Sequence, residues 1–223
     1  MTRDEFCNVC WNYYLVLEAD CMSTERYVSF DLGDNNLYSV NVPTVLGNSM
    51  AFSVEYIKQY QAICSEIDVI LKTICGELGN VTADNMKTGY TPTLLGDAFW
   101  GQVVNQKVLF KGTELQPFIN WSSFPNYQAP AWWSPYNGVK HDRTNRYKEA
   151  NLKNVLNALA GLYILENYLV KYIGDRDNER DVPNDVSHLF EMKNWQTRDT
   201  VAGKEFYAIR SDEMEDIVNQ IMT

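Results

Sequence analysis

Residues 132–143 read Trp-Trp-Ser-Pro-Tyr-Asn-Gly-Val-Lys-His-Asp-Arg, and here the residue types best suit chemistry. On a helix, Asn137 and His141 stand four apart and share a face, with Lys140 beside them, three from Asn137. An imidazole titrates near neutrality and can move a proton. Lys140 and the following Arg143 and Arg146 supply positive charge in an otherwise acidic chain. An amide, an imidazole and several cations together suit a phosphodiester, with the cations neutralising charge that develops on the phosphate. The competing reading is structural: His141 and Asn137 tie the Trp-rich loop before them to the helix by hydrogen bonds.

Other constellations carry less. Cys7 and Cys10 form a Cys-x-x-Cys pair, but no second Cys/His pair has metal spacing, and His141 and His188 are far apart. A redox pair belongs at a helix start after a strand, which this segment lacks, so core cysteines on an amphipathic helix are the better explanation. No metal and no cofactor is expected. Glu18, Glu66 and Asp68 are acids on helix faces with nothing to fix a catalytic separation. No Gly-x-Ser-x-Gly elbow and no phosphate-binding glycine loop occurs. The tryptophans of 121–133 read as packing beneath an irregular loop in preference to a stacking platform for bases.

The elements that must position residues 133–148 are mostly helical. Phe6, Val9, Cys10, Tyr13, Tyr14 and Leu17 recur at helical steps over 4–20, with Thr2 and Glu5 as a capping box. A second helix over 49–75 carries the stripe Phe52, Tyr56, Tyr60, Ile63, Ile67, Ile70, Leu71 and Ile74, closed by Gly76 and Gly79. The candidate site falls on a short helix over 133–148. Directly after it, 151–173 forms the longest helix, apolar round so much of its circumference that it belongs at the centre of a bundle or a dimer. The 49–75 and 151–173 helices are expected to bury each other as an antiparallel pair. A minor hairpin is expected within 103–118, using Val103-Val104 and Val108-Leu109-Phe110 with a turn at Lys111-Gly112-Thr113. The tail holds a charged loop over 174–184, a strand over 205–209 and an acidic helix over 211–222. A weak strand is expected at 37–40.

The expected architecture is therefore mainly α, a single domain over 1–223. Its helical core covers about 4–20, 49–75 and 133–173, with insertions at about 29–48 and 80–130 and a C-terminal appendage over about 175–223. Hydrophobic residues at 45% and charged residues at 22% are ordinary globular usage. Against 19 Lys plus Arg stand 29 Asp plus Glu, a net charge of −10, which argues against broad salt-driven nucleic-acid binding but leaves room for a small basic site. No run spans a membrane, the N-terminus lacks a signal-peptide pattern, and five scattered cysteines suit a reducing compartment. A cytoplasmic protein is expected.

The stretch 132–168, with Tyr136-Asn137-Gly138-Val139-Lys140-His141 on a short helix followed directly by a long apolar one, resembles the HEPN superfamily (the higher-eukaryote and prokaryote nucleotide-binding domain). The resemblance covers about 40 of the 223 residues. It implies a helical bundle, commonly a homodimer, and in many members a metal-independent ribonuclease of toxin–antitoxin or phage-defence systems. Asn137 and His141 match the motif's polar position and histidine. Tyr136 stands where the family has an Arg that holds the scissile phosphate. In that reading His141 is the general acid or base for attack by a ribose 2′-OH, Lys140 stabilises the phosphate and Asn137 positions it. Tyr136, Arg143, Arg146 and Trp133 would hold the RNA. The alternative is a catalytically silent HEPN-like module that dimerises and binds a protein partner. A nucleotide pocket lined by the tryptophans is the third reading.

Overall fold

The computed structural model describes residues 1–33, 47–201 and 204–210, and side chains as far as Arg198. The expected strand at 37–40 and helix at 211–222 lie outside the described residues. What is described is mainly helical with a small antiparallel sheet, as the sequence patterns predict.

The N-terminal helix opens with the expected capping box: the Glu5 amide donates to the Thr2 hydroxyl at 3.2 Å, and the Thr2 amide donates to the Glu5 carboxyl at 2.8 Å. It runs as α1 (Arg3–Phe6), a π-helical turn (Cys7–Trp11) and α2 (Asn12–Ser23). Phe6, Cys7, Cys10, Trp11, Tyr14 and Leu17 are buried, whereas Val9 and Tyr13 of the expected stripe are exposed. All five cysteines are buried free thiols, consistent with packing roles.

Helix α3 (Val54–Glu77) begins at Ser53, whose hydroxyl accepts the Tyr56 amide at 3.0 Å. Its stripe from Tyr56 to Ile74 is buried as expected. Phe52 is not on that stripe: it precedes the helix, is exposed, and bridges to Asn151. Helix α7 (Leu152–Asp177) is capped by Asn151, whose side-chain carbonyl accepts the Asn154 amide at 3.0 Å. It outlasts the expected end at Ile173 by one turn and stops at Asn178, which adopts the left-handed conformation at φ 56°.

These two helices do pack on each other, but in parallel, not antiparallel. Near their starts the Leu152 amide donates to the Ala51 carbonyl at 2.8 Å. At their ends Arg176 meets Glu77 at 2.5 Å. Antiparallel packing is the rule for neighbours joined by short loops; here the chain from 78 to 151 intervenes and can carry the polypeptide back to the starting end. The N-terminal helix supplies the antiparallel partner for both. Gln59 donates to the Asp20 carbonyl at one end, and the Met1 amino group meets Glu77 at the other. Between Leu152 and Val170 only Lys153 and Asn154 escape full burial. The apolar excess that suggested a dimer is thus covered by the chain's own elements.

The crossover does much of that covering. It holds a second π turn (Met86–Tyr90), α4 (Thr91–Gly96), a 3₁₀ turn (Trp100–Asn105) and the hairpin β1 (Val108–Phe110) with β2 (Thr113–Leu115). Lys111 and Gly112 link the strands with φ of 47° and 79°, both positive as a tight two-residue hairpin turn requires. Val103-Val104, expected in the first strand, lies in the 3₁₀ turn instead, with Val103 buried. A distant segment, β3 (Glu191–Met192), pairs with the free edge of β1. Trp121 and Trp132 are buried, and their indole N–H groups donate to the Thr91 hydroxyl and the Pro117 carbonyl at 2.8 and 2.9 Å. These two rings are core, as expected. Gly161 makes room for Trp132, since a Cβ there would sit 3.2 Å from its ring.

After α7, residues 180–190 form an irregular strap over α2. The Glu18 carboxyl, 1% exposed, accepts the Tyr14 and Ser187 hydroxyls and the His188 and Leu189 amides. Asp181, also buried, accepts Lys171 and the Arg198 amide. The chain then forms a terminal hairpin, β4 (Trp195–Val201) with β5 (Lys204–Arg210), which contains the expected strand at 205–209.

Candidate functional site

The residues singled out by the sequence sit on α5 (Trp133–His141), which begins as the Trp133 amide donates to the Pro130 carbonyl at 2.8 Å. The expected single helix over 133–148 is broken at Asp142 (φ −137°, ψ 55°). Beyond it come a one-turn helix, α6 (Arg143–Arg146), and a 3₁₀ turn (Tyr147–Glu149). This break divides the predicted residues into two groups.

Trp133, Tyr136, Asn137 and Lys140 line one groove of about 780 Å³. Its opposite walls come from α3, through Ser65, Asp68 and Lys72, and from the second π turn with its lead-in, through Asp84, Asn85 and Lys87. The floor is aromatic. Tyr136 is buried, edge-on to Tyr60 at 5.9 Å between ring centroids and 5.2 Å from Trp133. The Lys140 ammonium lies 5.5 Å from the Tyr136 ring centroid. Burial, helped by Cys64 and Asp68, pushes the Tyr136 phenol up to about 12. It therefore stays neutral and gives the groove a polar aromatic wall without charge.

The charges are placed by local geometry. Asp68 accepts the Tyr90 hydroxyl at 2.7 Å and pairs with Lys72 at 2.5 Å, so Lys72 is largely offset. Burial, then the Asp68 hydrogen bond, drives the Tyr90 phenol far above its usual range, which keeps it a donor. Asn85 caps the π turn by accepting the Thr88 amide at 2.9 Å, and Lys87 sits 5.5 and 5.7 Å from the Phe124 and Tyr127 ring centroids. Lys87 and Lys140 therefore present cations against aromatic faces, and neither makes an ion pair among the described residues. Single π turns occur disproportionately at functional sites.

His141, Arg143 and Arg146 do not line this groove. His141, the last residue of α5, is exposed, and its ring makes no hydrogen bond or ion pair among the described residues. It does not tie the Trp-rich loop down, so the structural role weighed for it is not seen. Arg143 donates to the Gln61 side chain at 3.3 Å. Arg146 pairs with Glu149 at 2.8 Å and covers Gly138, where a Cβ would come within 2.3 Å of its guanidinium. The extended positive run expected from the sequence is thus dispersed by the Asp142 break.

The sequence reading sets Asp68 aside as a helix-face acid and does not point to Lys72, Asp84 or Lys87. Asp68 and Lys72 stand four apart on a helix face, which reads as an ordinary solvated pair. Nothing in the order of residues near Lys87 reveals that a π turn brings it to α5. Among the described residues no three His, Cys, Asp or Glu are grouped to hold a metal ion, and no helix is long and apolar enough to cross a membrane. The chain matches no family model, no curated protein and no solved structure.

Proposed function

We propose that the protein is a HEPN-like RNA-binding module whose groove holds a short single-stranded segment. The observation that carries this reading is the convergence of Lys87 and Lys140 with Trp133, Tyr136, Tyr127 and Asn137 around one groove. Lysines that follow a phosphate backbone, set among aromatic faces on which bases stack, are the chemistry of sequence-tolerant single-strand binding. Asn137 adds an amide with both a donor and an acceptor for a base edge or a ribose hydroxyl. The −10 net charge keeps such binding local, because phosphates outside the groove meet an acidic surface. The HEPN-like assignment rests on the Asn137-to-His141 motif and the long helix that follows it.

The test is fluorescence anisotropy with a labelled oligouridine of about eight nucleotides. Wild type should bind, and Lys140→Ala and Lys87→Ala should each weaken binding several-fold while Arg146→Ala leaves it unchanged. Absence of binding, or equal loss with Arg146→Ala, would remove the proposal.

One observation favours the ribonuclease reading as a second possibility. The His141 ring is exposed and unengaged at the end of α5, where a second copy could bring its own His141 to a shared phosphate. That reading needs a homodimer, measured by sedimentation at micromolar concentration, and EDTA-insensitive cleavage that His141→Ala abolishes. A monomer that cuts no RNA would exclude it.

A further inference from the structure

A second cavity, of about 200 Å³, lies on another side of the molecule, between α7 and the strap over 180–187. Trp11, Tyr163 and Trp195 give it three aromatic walls, and Asn167, Arg180 and Thr197 give it polar ones. The strap is held over this space by side chains, not by regular structure. Arg3 donates to the Val182 carbonyl at 2.6 Å and to the Asn184 side chain at 3.0 Å. Trp11 donates to the Asp185 carbonyl at 3.0 Å, and Glu18 fixes the far end at Ser187–Leu189. These anchors keep a roof over the cavity where collapse onto the aromatic rings would bury more apolar surface.

Asn167 decides what the cavity suits. It is 7% exposed, and its amide nitrogen donates to the Tyr163 carbonyl at 2.8 Å. Its carbonyl oxygen accepts nothing among the described residues, and one amide N–H remains. An acceptor that a bound molecule shuts off from water needs a donor from that molecule. With an open carbonyl oxygen and one amide N–H on the same side chain, Asn167 matches a molecule that carries an N–H and an acceptor on one edge. A dry cavity of about 150 Å³ accepts benzene, so this one has room for a one- or two-ring molecule. A carboxylate brings no donor to Asn167.

We propose that this cavity binds a single nucleobase or a similarly sized flat heteroaromatic lactam or amine, stacked among Trp11, Tyr163 and Trp195 with its hydrogen-bonding edge on Asn167. The site is separate from the α5 groove, and the proposal does not depend on RNA binding there.

The experiment is saturation-transfer NMR on the full chain with adenine, hypoxanthine, cytosine and uracil, and with benzoate as an anionic ring that lacks a donor. At least one base should receive saturation, with quenching of tryptophan fluorescence, and benzoate should not. Asn167→Leu should weaken that binding about tenfold, the scale of one neutral hydrogen bond in a closed site. Val182→Trp, which fills the cavity from the strap and leaves α7 intact, should abolish binding even if Asn167→Leu folds poorly. Lys140→Ala, in the other groove, should have no effect. No base bound at millimolar concentration, benzoate bound as well as the bases, or binding that survives Val182→Trp would each overturn the proposal.

Discussion

Replacing Glu18 with Ala should be among the most damaging single changes in the chain, because it removes one carboxyl group that closes four hydrogen bonds. The His188 and Leu189 amides donate to it at 2.9 and 3.2 Å, and the Tyr14 hydroxyl at 2.6 Å. Tyr14 and Ser187 are already within 3.0 Å of each other, so their hydroxyls can re-pair after the change. The two backbone amides have no such recourse. A buried donor left without an acceptor costs about 1–3 kcal/mol, so the pair should cost about 4 kcal/mol. For a chain of this length that is a fall in Tm of roughly 10 °C. Glu18→Gln keeps one acceptor oxygen and should lose about half as much. The assays are urea unfolding for the free energy and amide hydrogen exchange for the location. Protection at His188 and Leu189 should fall first, while the centre of α7 stays protected until global unfolding. A loss below about 1 kcal/mol for Glu18→Ala, outside the range for even one stranded amide, would show that the strap is held by other contacts.

Glu166 is fully buried on α7 with neither carboxyl oxygen partnered among the described residues, and burial followed by the nearby Glu66 pushes its carboxyl well above the usual range. The folded state then holds a proton that the unfolded state releases, so stability should fall as pH rises above the ordinary value of 4.5. The slope is at most about 1.4 kcal/mol per pH unit for this proton, and Glu166→Gln should flatten it in thermal melts from pH 4 to pH 8. A slope unchanged by Glu166→Gln would contradict the assignment. Gly174→Ala should destabilise by about 1–3 kcal/mol through overpacking, because its Cβ would lie 2.6 Å from the Arg180 carbonyl oxygen. A melting temperature equal to wild type would show that the 174–181 turn has slack. Gly112→Ala should cost roughly 1 kcal/mol at its φ of 79°, read by the same melts. An unaltered hairpin in that variant would mean the turn relaxes to another type.

The elements with strong apolar periodicity were legible before any coordinates. The capping box at Thr2, the stripe of α3, the start of α7 at Asn151 and the 108–115 hairpin all follow from local side-chain chemistry. The relative direction of α3 and α7 was not legible, because it depends on how residues 78–151 cross the bundle. The break after His141 was hidden too. Asp142 leaves the helix while Arg143 and Arg146 turn to partners on Gln61 and Glu149, contacts that local periodicity cannot report. At the candidate site, four of the residues expected from sequence share the groove, and His141, Arg143 and Arg146 do not. The other wall is supplied from α3 and a π turn distant in the chain, and long-range proximity of that kind leaves no trace in a single sequence.

The groove on α5 is tested most directly by ¹⁵N NMR of the protein titrated with a short oligouridine. The Trp133 indole N–H and the amides of Asn137, Lys140 and Lys87 should shift together and saturate at one affinity. With about two phosphates neutralised by Lys87 and Lys140, log K should fall with log salt at a slope of about −1.4. Shifts centred on His141, Arg143 and Arg146 with Trp133 and Lys87 unmoved would contradict the account.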